Sequence, residues 1–385
     1  MDQPNLDNFK TINTIIARDS KDATYKFALL RGAIEISQEY SHLKQESESG
    51  NRVVFPLGLL VEKWLLYYYP LIASGEFIPQ KNGEHESSQN KLKFRKSFER
   101  VTHYYDSHGG FSAFYNDFVN GTIPADVSPA LRELITDLKI TITKMPMKHL
   151  GWSVYQQYYS VFRDEGGGRR LPANIPVSQE LLLQNLGYFS FPKDLFAVFE
   201  YLGSFISGED SLLYQWAEFT SAASKGALSA EFVLEKLKTF PQTERDVRDA
   251  RTVYDRMFRE HGAIECVWSG KQIKDQRSLH IDHLIPFTVW KNNDLWNLLP
   301  TTDRINANKR DRIPAPAFIE QRSDSIQEYW DIMQVNYPKK FDREMNISLT
   351  GPQTSGSDWH DVALDHLMEK CDYLINIRGY DAWDL

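Results

Sequence analysis

The sequence predicts a predominantly α-helical N-terminal region that extends to about residue 240, followed by a shorter C-terminal part. Apolar residues recur at helical spacing in several segments before residue 224. The stretch at residues 224–242 combines small and polar residues with a short helix and Phe240-Pro241, which favours a domain boundary. A chain of 385 residues with 42% hydrophobic residues can also bury more than one core.

Helical periodicity predicts the elements of the N-terminal region. A first helix runs from Tyr25 through Ile34, and a second, rich in Leu, Trp and Tyr, spans residues 57–69. Polar, Gly-containing residues 75–90 predict an exposed loop. Residues 152–162 alternate aromatic and polar side chains imperfectly, so a strand pair and an irregular helix both fit. Further helices are predicted at residues 129–144, 178–186, 192–206 and 211–223.

Three helices are predicted after the boundary. The helix at residues 243–260 places an apolar stripe on one side and its arginines mostly on the other, so the stripe should dock on the next unit. The stripe consists of Val247, Ala250, Tyr254, Met257 and Phe258. Helices at residues 323–337 and 358–377 are joined by a Ser/Gly/Pro-containing linker, residues 348–357.

The cysteine content and the apolar segments indicate a cytoplasmic protein. Cys266 and Cys371 are the two cysteines, too few for a disulfide framework or a four-cysteine zinc site. The first ten residues do not resemble a secretory signal, because no basic start leads into an apolar run. The apolar stretch at residues 53–73 is interrupted by charged residues and a proline, so it predicts a buried helix rather than a membrane span.

The charge distribution bears on nucleic-acid binding. A formal net charge of −8 argues against a protein whose whole surface binds nucleic acid, because contacts with phosphate supply most of the non-specific affinity for nucleic acid. Basic residues slightly outnumber acidic ones between Arg245 and Arg312, which allows a local basic face. The glycine-rich run from Glu165 to Arg170 could place two guanidiniums beside a phosphate. It lacks the Lys-Ser/Thr continuation of a P-loop, so a solvated connector is the favoured interpretation.

Asp282 and His283 are the strongest candidates for chemistry, together with an asparagine about two dozen residues later, Asn306. Carboxylate and amide oxygens are hard ligands suited to Mg²⁺. An imidazole with a pKa near neutrality can take a proton from an attacking water. Neighbouring side chains on an extended segment face opposite ways, so one can hold a metal while the other faces the attacking water.

Four spaced segments resemble the HNH nucleases of the ββα-metal fold. They are Cys266 to Lys271, His280 to Phe287, Asn293 to Pro300, and Asn306 to Asp311. The resemblance covers residues 266–314, and it implies a small α+β ββα-metal domain. The motifs Ile-Asp-His-x-x-Pro, Asp-Leu-Trp-Asn-Leu-x-Pro and Asn-x-x-Lys-x-Asp are similar to a bacterial branch with long helical N-terminal regions, associated with restriction or phage defence.

The resemblance implies a role for each matching residue. His283 is the general base, Asp282 a metal ligand and Asn306 a second metal ligand. Asn297 belongs to the catalytic set, as a residue that ties the hairpin loop together and helps fix the base. Lys309 matches the helix lysine, which would face phosphate or close the fold.

His280 lies two residues before Asp282 and therefore on the same face of the strand. An auxiliary ligand, a substrate contact and a surface residue are all open interpretations for it, and we assign it, with Lys309, to substrate binding. HNH nucleases with a structural zinc ion carry two Cys-x-x-Cys pairs. At the matching positions this chain has Cys266 with Ser269, and Thr302 with Ile305. No structural zinc is therefore expected, and packing should hold the hairpin through Trp268, Trp290, Trp296 and Leu298.

The predicted activity is that of a metal-dependent endonuclease that hydrolyses DNA phosphodiester bonds with one Mg²⁺ or Mn²⁺ ion. We expect an effector in bacterial anti-phage defence or restriction, with residues 1–240 sensing a trigger, binding a protein partner or self-associating. The nuclease domain with its flanking helices would span residues 241–345, and residues 346–385 would form a linker and helix. A non-catalytic binding module and an RNA-cleaving nuclease are the alternatives.

Overall fold

The structure is a computed structural model that describes residues 10, 14–15, 19–150, 161–206, 212–351 and 359–385. The chain divides into two compact units, Met1–Gln242 and Thr243–Leu385. The predicted fold class is confirmed, because the first unit is mainly helical and the second combines helices with two-stranded sheets. Most of the segment at residues 152–162, and most of the predicted linker at 348–357, lie outside the described residues.

The N-terminal unit is built around two buried helices, α1 and α2. Every residue of α2 except Leu66 is buried, as expected for a helix that is apolar on all sides. Gly58 lets α2 approach α7 closely, since a Cβ there would lie 2.5 Å from the backbone carbonyl of Leu182. The helices of this unit are α1 (Tyr25–Glu39), α2 (Leu57–Ile72), α3 (Arg95–Asp106), α4 (Gly110–Asn120), α5 (Ser128–Lys144), α6 (Pro146–His149), α7 (Gln179–Asn185), α8 (Lys193–Ile206), α9 (Tyr214–Ala223) and α10 (Ala230–Leu237).

None of the described helices is long and apolar enough to cross a membrane. This finding includes α2, the most apolar helix of the N-terminal unit.

A four-stranded antiparallel sheet, which the sequence did not predict, also belongs to this unit. Its strands, in spatial order, are β1 (Gln45–Glu46), β2 (Arg52–Pro56), β4 (Tyr188–Pro192) and β3 (Arg163–Gly166). The central strands β2 and β4 have five residues each and run directly into α2 and α8. Strands this short, continuous with long apolar helices, carry little periodicity of their own.

A buried cluster of charged side chains joins α1, α2 and α7. Lys63 Nζ lies 2.9 Å from a Glu35 carboxylate oxygen and 2.6 Å from a Glu39 oxygen. The Glu62 carboxyl instead accepts both of its hydrogen bonds from the uncharged amide of Gln179, at 2.8 and 3.0 Å. Burial therefore raises the pKa of Glu62 to about 7, because it removes the water that stabilises the ionised form.

The C-terminal unit contains a ββα arrangement of two antiparallel strands followed by a short helix. Strands β7 and β8 pair so that Asp282 lies opposite Leu299 and His283 opposite Leu298, and helix α13 follows β8. The elements are α11 (Arg248–His261), β5 (Ile264–Glu265), β6 (Gln272–Ile273), β7 (Leu279–His283), α12 (Phe287–Trp290), β8 (Leu298–Thr302), α13 (Asp303–Lys309), β9 (Ile313–Pro314), α14 (Pro316–Gln321), α15 (Ser323–Asn336), α16 (Pro338–Met345), α17 (Trp359–Asn376) and β10 (Ala382–Trp383).

Helix α11 uses its apolar stripe as the sequence predicts. Ala250 and Tyr254 are fully buried, and the predicted stripe residues Val247, Met257 and Phe258 pack against the same core. The Tyr254 hydroxyl donates to the carbonyl of Leu298 at 2.7 Å, which fastens the helix to β8. The stripe therefore fixes α11 against the hairpin.

The last segment of the chain packs within the same unit. Strand β10 pairs in parallel with β9, and α17 packs against α14. The indole of Trp383 is buried between Trp268 and Phe318, with ring centroids 5.3 and 5.4 Å away. The functional division at residues 240 and 345 stays a prediction.

Candidate active site

Asp282 and His283 end strand β7, and their side chains contact different neighbours. The carboxylate of Asp282 accepts from Trp268 and Lys309, whereas the ring of His283 faces Asn293 and Phe287. Both residues are buried, at 3% exposure. The strand therefore presents a carboxylate on one side and an imidazole on the other.

The Asp282 carboxylate is held by two donors. Trp268 Nε1 donates to Oδ2 at 2.8 Å, and Lys309 Nζ donates to Oδ1 at 3.0 Å. Burial raises the pKa of Asp282 and lowers the pKa of Lys309, and the contact between them opposes both shifts. The pair is therefore a buried ion pair whose two members depend on each other.

Lys309, from the last turn of α13, is the link between the helix and the strand. Its ammonium also donates to the carbonyl oxygen of His283 at 2.6 Å, and the residue is fully buried. An ammonium has three donors, so one remains for another acceptor. Substrate binding by Lys309 stays a prediction, and it would have to use this remaining donor.

The amide of Asn293 determines which nitrogen of His283 carries the proton. Asn293 Nδ2 donates to the carbonyl of Glu244 at 2.8 Å, and its Oδ1 accepts from the backbone N–H of Asp246 at 2.9 Å. These backbone partners fix the orientation of the amide, so that the atom 3.4 Å from His283 Nε2 is an acceptor. This contact favours the tautomer with the proton on His283 Nε2, which leaves the lone pair on Nδ1.

The surroundings of His283 favour the neutral imidazole. Burial lowers the pKa of His283 to about 4, and the positive charge of Arg245 acts in the same direction. Arg245 is fixed beside the strand by a hydrogen bond from its guanidinium to the carbonyl of Ile281, at 3.1 Å. The ring is therefore unprotonated and available as a proton acceptor at neutral pH, but a pKa of about 4 makes it a weaker base than the near-neutral imidazole that the sequence predicts.

Asn297 lies directly before β8 and is fully buried. Its Oδ1 accepts from the backbone N–H of Ile285 at 2.7 Å, and its Nδ2 donates to the carbonyl of Ile285 at 3.0 Å. The backbone N–H of Leu284 donates to the carbonyl of Asn297 at 2.8 Å. These bonds hold the backbone directly after His283, so Asn297 acts on the base through the loop.

Asn306 and His280 lie at the more open part of the site. Asn306 is half-buried on α13, three residues before Lys309 and hence on the same helix face. Its side-chain amide makes no hydrogen bond with any residue that the structure describes. His280 Nε2 lies 3.7 Å from a carboxylate oxygen of Asp303, and its side chain is 39% exposed.

The donor set fits a hard divalent cation that keeps most of its water. Each oxygen of an ionised carboxylate has two lone pairs, so Asp282 retains one on each oxygen besides its bonds to Trp268 and Lys309. The unengaged amide oxygen of Asn306 is a second hard donor. No group of three His, Cys, Asp or Glu side chains that could hold a metal occurs among the described residues.

The positions of the zinc-binding cysteines in related proteins have other roles in this chain. Cys266 is buried with its sulfur 3.5 Å from the Thr301 hydroxyl. The Thr302 hydroxyl accepts from the backbone N–H of Ile305 and so caps α13. Four residues were expected to hold the hairpin by packing, and all of them lie in the core of this unit or pack against it: Trp268, Trp290, Trp296 and Leu298.

Three contributors to the site were not recognised from the sequence. Asn293 orients His283, Trp268 binds Asp282 through its indole N–H, and Arg245 lies next to both. Asn293 is part of the Asn-Asp-Leu-Trp-Asn segment and follows the candidate base by ten residues. That position was the sequence feature that could have indicated its role. Its role depends on backbone atoms of the chain before α11, which no local pattern specifies.

Residues 266–315 match the family model described as HNH endonuclease, and they contain β7, β8 and α13. The C-terminal unit therefore carries an HNH endonuclease domain, a class of hydrolases that act on nucleic acid. The chain as a whole belongs to the family described as domain of unknown function DUF8808, whose model matches residues 5–237. No curated protein and no solved structure matches the chain.

Proposed function

We propose that the C-terminal unit cuts DNA by hydrolysing phosphodiester bonds with one Mg²⁺ or Mn²⁺ ion. The observation that carries this proposal is the placement of Asp282 and His283 on one strand with separate surroundings. The first is an oxygen donor held by two hydrogen bonds, and the second is a neutral imidazole with a fixed tautomer.

His283 acts as the general base through Nδ1. The Asn293 amide keeps the proton on Nε2, so the proton of the attacking water is transferred to Nδ1. Asn297 holds the loop that follows His283 and thereby limits movement of the ring. Phe287 packs edge-on against the imidazole at 5.4 Å and restricts its rotation.

Asp282 and Asn306 would hold the divalent ion. When bound, the ion supplies positive charge that stabilises the scissile phosphate and the leaving oxygen. Trp268 and Lys309 orient the Asp282 carboxylate before any ion arrives. His280, which is partly exposed, and the third donor of Lys309 would contact the substrate backbone.

A cleavage assay on the purified full chain tests this proposal. Plasmid DNA, linear DNA, single-stranded DNA and RNA are each incubated with Mg²⁺, Mn²⁺ or EDTA, and the product ends are mapped. We expect cleavage of DNA only with metal, leaving 5′-phosphate and 3′-hydroxyl ends, and loss of cleavage in His283→Ala.

Each part of the proposal has its own contradicting result. Unchanged cleavage by His283→Ala would show that the base is wrongly assigned. Cleavage of RNA alone would show that the substrate is wrong, and binding of DNA without cleavage under any metal condition would favour a non-catalytic module. His261→Ala, at an exposed histidine at the end of α11, is the matched control.

We further propose that the chain is an effector of bacterial anti-phage defence or restriction, with the helical N-terminal unit as its sensing or partner-binding part. The net charge of −8 supports recruitment by a partner or by self-association, because a chain of this charge has weak intrinsic attraction for DNA. Plaque counts on bacteria that express wild-type chain or His283→Ala test the defence role. Equal plaque counts for these two strains and for a vector control would contradict it.

A further inference from the structure

The N-terminal unit has an open cleft of about 510 Å³ between helix α5 and the glycine-rich loop after β3. Lys139 reaches the cleft from the helix, and Arg169 and Arg170 reach it from the loop. Its volume lies within the range of small-molecule sites, roughly 300–1,000 Å³. All of the lining residues belong to the N-terminal unit.

The three cations of the cleft have no carboxylate partner among the described residues. Within the described part of the chain, the side chains of Lys139, Arg169 and Arg170 make no hydrogen bond or ion pair. Other cations of the same unit are satisfied: Arg95 pairs with Glu84 at 2.7 Å, and Lys63 lies between two glutamates. Three uncompensated positive charges around one concave surface attract an anion.

The loop that carries the arginines is exposed from Arg163 to Arg170, as a solvated connector would be, but its backbone lies close to the neighbouring chain at two glycines. A Cβ on Gly187 would overlap the carbonyl oxygen of Gly166, and a Cβ on Gly168 would lie 2.6 Å from the carbonyl oxygen of Leu186. Both positions therefore require glycine for close approach. The loop is also tied to the end of α7, because the backbone N–H of Arg169 donates to the carbonyl of Asn185 at 2.7 Å.

The chain after the arginines is fastened to the same helix that carries Lys139. The guanidinium of Arg132, two turns before Lys139 on α5, donates to the carbonyls of Pro172, at 2.9 Å, and Ile175. Hydrogen bonds thus hold the helix and the chain after the loop together beside the three cations. A preorganised support lowers the entropy cost of binding a ligand.

The lining of the cleft also includes apolar side chains. Ile135, Ile140 and Leu171 contribute to it, and Ile140 is 40% exposed on the surface of the helix. A ligand that fits both parts needs anionic oxygens at one end and a planar or apolar group at the other. We propose that this cleft binds a small organic phosphate of nucleotide size.

A polynucleotide fits the cleft less well than a small ligand. The cations are confined to a single cleft, whereas a nucleic-acid strand needs basic side chains along its path. The acidic charge of the whole chain, −8, would repel a long polyanion more strongly than a small one. The site is therefore one for a ligand of a few charges, separate from cleavage.

Calorimetric titration of the metal-free full chain in EDTA tests the proposal, with the four ribonucleoside triphosphates as probes and inorganic pyrophosphate as a phosphate-only probe. We expect saturable binding of at least one nucleotide, tighter than that of pyrophosphate. Lys139→Ala and Arg170→Ala should each weaken it about tenfold or more, because each removes a charge-assisted contact to phosphate.

Two control variants separate this site from other effects. Lys96→Ala removes an exposed charge of the same unit and should leave affinity unchanged. His283→Ala should also bind like the wild type, so failure of the nuclease proposal would not affect this result. Absence of nucleotide binding, or equal affinity in Lys139→Ala and Arg170→Ala, would overturn the inference. Displacement of bound nucleotide by a short single-stranded DNA would overturn the assignment to a small ligand.

Discussion

The ammonium of Lys309 lies 3.0 Å from Oδ1 of Asp282, and both side chains are buried. The pair connects the helix after the hairpin to the strand that carries the candidate base, because the same ammonium also binds the carbonyl of His283. The candidate metal ligand is therefore already oriented by a charge from the protein. Removal of either member leaves the other buried and unpaired, which costs more than the pair itself contributes.

Lys309→Met should destabilise the C-terminal unit by about 3 kcal/mol, because it leaves the Asp282 carboxylate buried without its charged partner. Thermal unfolding and hydrogen exchange of β7 and β8 measure this effect. Lys271→Met, at an exposed lysine of the same unit, is the control.

The double variant Asp282→Asn with Lys309→Met separates the ion pair from simple loss of packing. It should recover part of the stability lost in Lys309→Met, since no unpaired charge remains. Strictly additive losses would contradict the coupling of the two residues.

Asn293→Leu should lower the turnover rate about tenfold to a hundredfold, with a smaller effect on KM. The substitution removes the acceptor that holds the proton on His283 Nε2, so the ring would populate both tautomers. Nitrogen chemical shifts of the labelled imidazole report the tautomer directly, a readout that a purely structural role for Asn293 would not change.

Asn293→Asp is the conservative comparison for this residue. It keeps an acceptor facing His283 but loses the donor to the carbonyl of Glu244. We expect the Nε2-protonated ring to persist and activity to be partly retained. A tautomer mixture in wild-type chain, or the same tautomer in wild type and Asn293→Leu, would contradict the assignment.

Glu62 should make the stability of the N-terminal unit fall as pH rises from about 4.5 to about 7. Its pKa is raised in the folded chain, so its contribution is fully present below the unfolded pKa and is lost as pH rises through the folded pKa. Glu62→Gln stays uncharged and keeps an oxygen acceptor for Gln179. At pH 8 it should be more stable than wild type by up to about 3 kcal/mol, the free energy of the shift.

Thermal unfolding of both chains between pH 4.5 and 8 measures this dependence. The two curves should converge at the acidic end and separate as pH rises. Glu86→Gln, at an exposed glutamate, is the control and should follow the wild type throughout. Parallel curves for Glu62→Gln and wild type would show that the Glu62 carboxyl is not protonated in the folded chain.

Long apolar helices and the Asp-His pair could be predicted from the sequence because their signals are local. The periodicity of α1, α2 and α11 spans many residues, and Asp282 and His283 are adjacent. Strands β2 and β4 escaped prediction because five residues give too little pattern, and their pairing joins segments that lie far apart in the chain. The role of Asn293 also depends on tertiary structure, since its partners Glu244 and Asp246 lie almost fifty residues earlier.

Asn306→Ala should raise the metal concentration needed for half-maximal cleavage about tenfold, because it removes one of the two protein ligands of the proposed site. The half-buried Asn306 side chain makes no hydrogen bond with the described residues, so the melting temperature should barely change.

Cleavage rates measured across Mn²⁺ concentrations give the comparison, and Asn306→Asp is the matched variant. A carboxylate at this position keeps an oxygen ligand and adds negative charge, so Asn306→Asp should need no more metal than wild type. If Asn306→Ala and Asn306→Asp change the metal concentration for half-maximal cleavage equally, Asn306 does not contact the ion. Asp282 would then be the single protein ligand of the proposed site.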